Sequence, residues 1–465
     1  MQHASQTRRL SACYRALAVF DLLRIICGYL DSKAYINLLF LSHYTFSCVI
    51  PVAWEDVDLK AVLLLIPGVE AIRDGSDYLP FQYTFSIPEA ADISRLRIYS
   101  SFVKVTRTSI PYVIRFPNRW PDPTSALLPN LRRLVISTFG FTSPGHLDWI
   151  PRLLVPGLLG LEVQSIYRQE NPSDDSEKTY SWLDGYFYTR LIDSIQHMCP
   201  GLQTLHVYPS RLDSTACDKL VGLRELRSLA LNGDNPDMIK LIYTLSQFMH
   251  LETLSLAGNE FQPASTTAAR TTALPDSAFP SLRHVKLQNV NRLLIQQICA
   301  LSPRFRNLIT ATIVYSDAYS GKVEELPARS TLAIKCLGRD VSSLTDLTVL
   351  TQLCGNTFCL SWVIIDALKH MPLRRLRLGK IQLNTGVPSS SRAINSENSF
   401  AGSVGCREEI KWRDLLVALP LLEEFCLEDE LLNCRHLRSF AALLQNLSLL
   451  VLSSIEFTAT EETPS

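Results

Sequence analysis

Apolar residues recur along this chain in one short phrase, Leu-x-x-Leu-x-Leu, usually entered through Pro. It reads PNLRRLVIS at 129–137, PGLLGLEVQ at 156–164, PGLQTLHVY at 200–208 and LRELRSLALNG at 223–233. It continues as HLETLSLAGN at 250–259, PSLRHVKLQN at 280–289, PLRRLRLGK at 372–380, PLLEEFCLED at 420–429 and NLSLLVLSS at 446–454. Weaker copies stand at 93–98, 307–313 and 344–350. The central apolar residues are Leu134, Leu161, Leu205, Leu229, Leu254, Val285, Ala311, Leu347, Leu376, Phe425 and Leu450, at spacings of 27, 44, 24, 25, 31, 26, 36, 29, 49 and 25 residues. In a strand, alternate side chains point to opposite faces. Each phrase therefore predicts a short strand with its apolar residues on one side. The other side receives Arg133 and Val135, Glu162, Thr204 and His206, Ser228 and Ala230, and Thr253 and Ser255. It also receives His284 and Lys286, Arg375 and Arg377, and Glu424 and Cys426.

One such strand cannot bury its apolar face alone, whereas stacked copies can. Between the phrases, the 3.6-residue apolar period predicts amphipathic helices at 182–198, 236–249, 292–301, 360–371, 410–419 and 435–445. Strand alternating with helix in this order gives a parallel sheet with right-handed crossovers. Several spacings fall in or near the roughly 20–29-residue period of a leucine-rich repeat. The expected fold is thus α/β: a leucine-rich-repeat horseshoe, a right-handed solenoid with parallel strands on the concave face and helices on the convex face. It is expected over 93–457, with insertions near 165–181 and 384–409. The second insertion, rich in Ser, Gly and Asn, has too little apolar surface to order itself and is expected to be a mobile loop. Residues 1–14 and 458–465 are expected to be flexible ends. Residues 58–92 are expected to form a connector, turned at Pro67-Gly68, whose aromatic stretch YLPFQYTF packs against the first repeats.

Residues 15–57 have a different period. Leu22, Leu23, Ile26 and Leu30 repeat at helical spacing, then Gly28 and Asp31-Ser32 interrupt. Ile36, Leu38, Leu39 and Leu41 predict a second helix with Asp31 or Ser32 as N-cap. Phe46, Val49 and Ile50 predict a third, which Pro51 should stop. A domain of about this size is marginal alone. The block resembles an F-box, on Leu17, Asp21-Leu22-Leu23-x-Ile25-Ile26, Leu30, Leu38-Leu39-x-Leu41-Ser42-His43, Phe46 and Trp54. It is closest to the divergent F-box-like blocks common in fungal leucine-rich chains, where Ile50-Pro51-x-x-Trp54-Glu55 also fits. Two features depart from the family. Its Pro is absent, with Ala18, Val19 and Phe20 in its place, and the Arg-rich close of its second helix is here Ser42-His43-Tyr44.

The resemblance implies docking on a Skp-type adaptor of a cullin–RING ubiquitin ligase. It assigns that contact to Leu17, Phe20, Asp21, Leu22, Leu23, Ile26, Leu30, Leu38, Leu39 and Trp54. The repeats would then hold a protein substrate, and Arg133, Glu162, His206, Ser228, Ser255, Lys286, Arg375 and Arg377 are its candidate contacts. The alternative is a leucine-rich interaction scaffold in which 15–57 only caps the open end of the solenoid.

Composition narrows the classes further. Forty-five basic residues balance 45 acidic ones, so no global field draws the chain to nucleic acid or to an anionic membrane. The longest apolar run, AVLLLIP at 61–67, falls far short of the roughly 20 residues a bilayer needs. Twelve cysteines occur without a C-x-x-C. They are expected to be reduced and mostly buried in a cytoplasmic or nuclear protein. The sequon at Asn446 falls at a predicted strand entry. No phosphate loop, dinucleotide fingerprint, paired zinc spacing or nucleophile elbow is present. The expectation is a recognition protein without catalytic residues, metal or cofactor.

Overall fold

The computed structural model describes residues 19–30, 32–74, 82–108, 112–117, 126–138, 148–165, 185–207, 212, 214–232, 238–257, 278–288, 305–316, 326–352, 358–361, 367–379, 381–384, 417–428, 442 and 446–452. The chain forms two compact units, residues 1–170 with 175–207, and residues 171–174 with 208–465.

The first unit opens with three helices, α1 (Phe20–Gly28), α2 (Ser32–Leu39) and α3 (His43–Ala53). The i, i+4 pair Leu23 and Cys27 on α1 meets Cys48 and Val49 of α3, and Leu38, Leu39, Val52 and Ala53 pack around them. Helix α3 is started by Ser42, whose Oγ accepts from the Thr45 N–H at 3.1 Å while Thr45 Oγ1 accepts from the Ser42 N–H at 2.9 Å. This reciprocal cap satisfies two donors that a helix start leaves open. The expected stop at Pro51 is corrected: Pro51 lies inside α3. The helix needs only its last turn beyond the proline, and the Trp54 N–H reaches the Ile50 carbonyl.

Strand β1 (Asp56–Asp58) follows directly, then helix α4 (Leu59–Leu63), β2 (Glu70–Asp74), β3 (Gln82–Ser86) and helix α5 (Ser94–Ser100). Next come β4 (Val105–Arg107), β5 (Tyr112–Arg115), β6 (Arg133–Thr138), β7 (Gly160–Ser165), helix α6 (Gly185–Met198) and β8 (Thr204–Val207). β1, β4, β6, β7 and β8 form a parallel ladder that aligns Val57, Thr106, Leu134, Leu161 and Leu205. β2, β3 and β5 make a small separate sheet, antiparallel and then parallel. The parallel ladder thus begins at Asp56, well before residue 93. The segment between is no plain connector, since Leu59, Val62 and Leu63 of α4 are fully buried. The phrase at 93–98, expected as a strand, is the helix α5. Its buried residues Leu96 and Ser100 are four apart, and the strand of that repeat is β4, just downstream.

In the second unit, β9 (Ser228–Asn232), β10 (Thr253–Ala257), β11 (His284–Gln288), β12 (Thr310–Ser316) and β13 (Asp346–Gln352) stand in chain order. They are joined by β15 (Arg375–Gly379), β17 (Glu424–Glu428) and β18 (Leu449–Leu452). Leu229, Leu254, Val285, Ala311, Leu347, Leu376, Phe425 and Leu450 occupy one cross-strand row. β14 (Phe358–Ser361) and β16 (Ile381–Asn384) pair separately and in parallel. Helices α7 (Ser214–Leu220), α8 (Met238–Leu245) and α9 (Leu326–Asp340) belong to the same unit, with α7 packed on α8. Helix α9 was not legible in the pattern. A helix over 360–371 is corrected in part: 358–361 is a strand, and the described helical residues are 367 and 368. The helices expected at 292–301, 410–419 and 435–445, the insertions at 165–181 and 384–409, and both termini lie wholly or mostly outside the described residues.

The repeat has a backbone signature. The carbonyl just before one strand accepts two consecutive N–H groups at the entry of the next. Glu55 O takes Lys104 and Val105, Lys104 O takes Arg132 and Arg133, and Arg227 O takes Glu252 and Thr253. Among the described residues eleven carbonyls are shared in this way, at 2.7–3.1 Å. The residue before the first leucine of the phrase adds a side-chain tie to the preceding turn. Asn130 Nδ2 donates to Ser101 O, Asn307 Nδ2 to Pro280 O, and Asn446 Nδ2 to Pro420 O. Ser281 Oγ does the same to Met249 O. The first leucines themselves, among them Leu131, Leu158, Leu202, Leu251, Leu282 and Leu308, are fully buried.

One helix glycine is fixed by packing. A Cβ on Gly338 of α9 would lie 2.4 Å from the Ala367 carbonyl oxygen. Helix propensity alone predicts that Gly→Ala gains about 0.5–1 kcal/mol. Against this backbone contact, Gly338→Ala is expected instead to cost about 1–3 kcal/mol through overpacking. The denaturant midpoint checks it, and a gain in stability would place α9 further from residue 367.

Candidate functional site

The adaptor-facing residues named from the resemblance separate once the helices are placed. Leu23 is fully buried in the block core, and Leu38 and Leu39 lie against it. Ile26 and Leu30 are half-buried, while Phe20, Asp21 and Leu22 are exposed. Trp54 stacks on Tyr99 of helix α5 at 4.7 Å between ring centres, so its ring is committed to the junction with the first repeat. Leu17 lies outside the described residues. The same block leaves further large apolar side chains outside. Ile25 is 58% exposed, Tyr29 89%, Phe40 84% and Leu41 62%, with Val19, Tyr44 and Phe46 also exposed. These were within reach of the sequence. At about 100° per residue, Leu23 and Cys27 define one side of α1, and Leu22, Ile25 and Tyr29 cannot share it.

On the ladder of the first unit, the structure brings together three predicted residues, Arg133, Glu162 and His206, from three successive strands. Arg133 stands opposite Gly160 in register, and Glu162 opposite His206. Gly160 presents no side chain, so Arg133 lies diagonally across it to reach Glu162, with Nε donating to Oε1 at 3.0 Å and Nη2 donating to the same oxygen. Gln164 Nε2 donates to Oε2 at 3.2 Å. Glu162 is consequently buried although it points to the outward face. The sequence placed it on the correct side but did not show that its neighbours cover it. Burial depresses the His206 pKa below its ordinary value; Glu162 opposes that shift and Arg133 adds to it.

On the ladder of the second unit, Ser228 and Ser255 are half-buried, and Lys286, Arg375 and Arg377 are exposed. Arg375 is gripped by Asp346, with Nε to Oδ1 at 2.6 Å and Nη2 to Oδ2 at 2.9 Å. This fork is a geometry that suits guanidinium and carboxylate. His284 Nδ1 lies 2.6 Å from Thr310 Oγ1. An open groove of about 560 Å³ crosses β12, β13, β15, β17 and β18, with Thr312, Thr348, Arg377 and Cys426 among its lining and Leu449 and Val451 at one end. Asp346 and the two threonines were not among the residues singled out from sequence, because their phrase at 344–350 is one of the weaker copies.

Among the described residues no group of three or more His, Cys, Asp or Glu is placed to hold a metal ion, and no helix is long and apolar enough to cross a membrane. Cys199 Sγ donates to the Val155 carbonyl at 3.1 Å, and burial pushes its pKa up to about 11. At neutral pH it is a thiol, an inert core group.

The His206 shift has a sign that can be tested. A histidine with a folded-state pKa below its unfolded value binds protons less readily when folded, so stability falls as pH drops through the unfolded value of about 6.5. His206→Gln is expected to flatten the loss of stability between about pH 7 and pH 5 relative to wild type. Denaturant midpoints at the two pH values check it; an unchanged slope would show that His206 titrates normally. In the same titration, followed by NMR, Arg133→Met should raise the His206 pKa by removing a repelling charge.

No family model matches the chain, and no curated protein matches it. Among solved structures it is similar to a Bacteroides fragilis protein determined as a structural-genomics target, with a TM-score of 0.34 and 14% identity, over 56% of this chain and 69% of that one.

Proposed function

We propose that the chain is the substrate-recognition subunit of a Skp/cullin/F-box-type ubiquitin ligase. In this reading α1–α3 are an F-box-like block that binds the adaptor, and the two parallel ladders are leucine-rich repeats that hold a protein target. The observation that carries it is the apolar surface of the block. Phe20, Leu22 and Ile25 on α1, Tyr29 at its C-cap, and Phe40 and Leu41 after α2, are all exposed. Exposed apolar patches of this kind mark interaction sites. A block serving only as a cap would turn its apolar side chains toward the repeats, as Trp54 does toward Tyr99. Phe20, standing near the place of the family's absent Pro, is 45% exposed and supplies an apolar anchor there. The adaptor contact in this reading uses Phe20, Leu22 and Ile25, while Leu23 belongs to the core.

The test is co-purification of the full chain with a Skp-type adaptor. The intact chain is expected to retain the adaptor, and Ile25→Asp or Phe20→Ala to lose it with an unchanged melting temperature. Both side chains are exposed, so neither change leaves a core cavity. No retention by a folded intact chain overturns the ligase reading and leaves the block as the cap of an interaction scaffold.

A further inference from the structure

On the outward face of the second unit's ladder one carboxylate is left over. Asp346 gives both its oxygens to Arg375, one to Nε and one to Nη2. Glu424 stands opposite Arg375 on the next strand and is near enough to help hold its charge. Two carboxylates thus face one guanidinium, and its fork is already taken. Glu423, the preceding residue, is spent on Arg374. Among the described residues the Glu424 side chain itself accepts no hydrogen bond and enters no ion pair, with Arg377 in the neighbouring column or with any other cation. It is nonetheless half-buried. On its other side the surface turns apolar. Leu449 of β18 stands directly opposite Glu424, and Val451 opposite Cys426. Leu449 is 49% exposed and Val451 41%, and all four residues line the 560 Å³ groove.

We infer that this end of the groove binds an arginine side chain of a target protein, with its stem over Leu449 and Val451 and its guanidinium on Glu424. Long cationic side chains lay their methylene stems along apolar surface and carry the charged head to a polar group. The patch offers those two surfaces side by side. One interstrand step is about 4.8 Å and two residues along β18 about 6.6 Å, so Val451, Leu449 and Glu424 mark a short track for one stem and its head. A guanidinium suits the head position because it is weakly hydrated and matches a carboxylate with a planar fork. Entry over β18 keeps the incoming charge on the far side of Glu424 from Arg375 and Arg377, which both stand on β15. A second copy of the chain fits less well. A two-fold contact presents the same patch from both sides and would set two Glu424 carboxylates in one interface. The inference deepens the proposed function by naming what the target must present, and it rests on that reading for its biological meaning alone.

The experiment measures binding of peptides of about 12 residues, carrying an uncharged dye, to the full chain without adaptor, by anisotropy at low and physiological salt. Each peptide has one central residue in a Ser/Ala background. That residue is arginine, its neutral isostere citrulline, or an arginine analogue whose stem is two methylenes shorter. The arginine peptide is expected to bind about tenfold more tightly than the citrulline peptide, with the gap narrowing as salt rises. The short-stem peptide should lose most of that gain. Glu424→Gln should abolish the preference for arginine over citrulline with the melting temperature unchanged. Val451→Ser should weaken the arginine and citrulline peptides alike, and Leu449→Thr serves if it perturbs folding. Equal binding of the arginine and citrulline peptides, or binding of neither, overturns the inference. So does a preference that survives Glu424→Gln. A dimer of the peptide-free chain in sedimentation that Val451→Ser dissolves also overturns it, by giving the patch to a second copy. The readout needs no ligase component, so failure to retain a Skp-type adaptor leaves this result standing, and the reverse holds as well.

Discussion

Within each unit, every described strand of the ladder is fastened to the next by one carbonyl that accepts two consecutive N–H groups. A buried backbone carbonyl must be satisfied, and here a single acceptor fixes where the following strand begins. The first leucine of the phrase can then enter the core two residues earlier, and the central and third apolar residues stack in rows. Leu134 on Leu161 on Leu205 is the result in the first unit, and Leu229 on Leu254 on Val285 in the second. Everything on the outward face inherits its position from that entry point, because strand alternation leaves no choice of side.

The sequence was most informative where this constraint acts. Every central residue read from the phrase that falls on a paired strand sits in the predicted row, including the weak copies at Ala311 and Leu347. It was least informative where the same residue types serve two periods. Leu96 and Ile98 alternate as a strand would, yet Leu96 and Ser100 share one buried helical side. Val57 and Thr106 escaped the reading because their strands have only three residues and Thr106 is polar. Its hydroxyl is satisfied by the Val57 carbonyl at 3.0 Å, a pairing that composition does not reveal. The burial of Glu162 depended on Arg133 of the neighbouring strand standing opposite Gly160, two residues before Glu162, and that register exists only across strands.

The outward face and the helical block obey different physics. On the ladders, polar residues meet water and one another, and ion pairs such as Arg375 with Asp346 or Arg133 with Glu162 use up charge locally. On α1–α3, a four-residue core is surrounded by aromatic and aliphatic side chains that the described residues leave uncovered. A small core gives little stabilisation, and the Ser42 cap and the contact of Trp54 with Tyr99 add to it. That leaves its remaining apolar side chains available to a partner without unravelling the helices.

The shared carbonyl also governs what lengths of chain can lie between strands. It fixes the first residues of each phrase and says nothing about the segment before them, so in the second unit intervals as unequal as 25 and 49 residues deliver strands into the same row. Insertion of almost any length between phrases is therefore neutral to the pairing, and duplication of a whole repeat would present the same acceptor again. The loss of a single residue inside a phrase would instead turn leucines toward water and arginines toward the core. Over evolutionary time such a chain should gain and lose intervening segments freely while its short phrases admit substitutions but no changes in length.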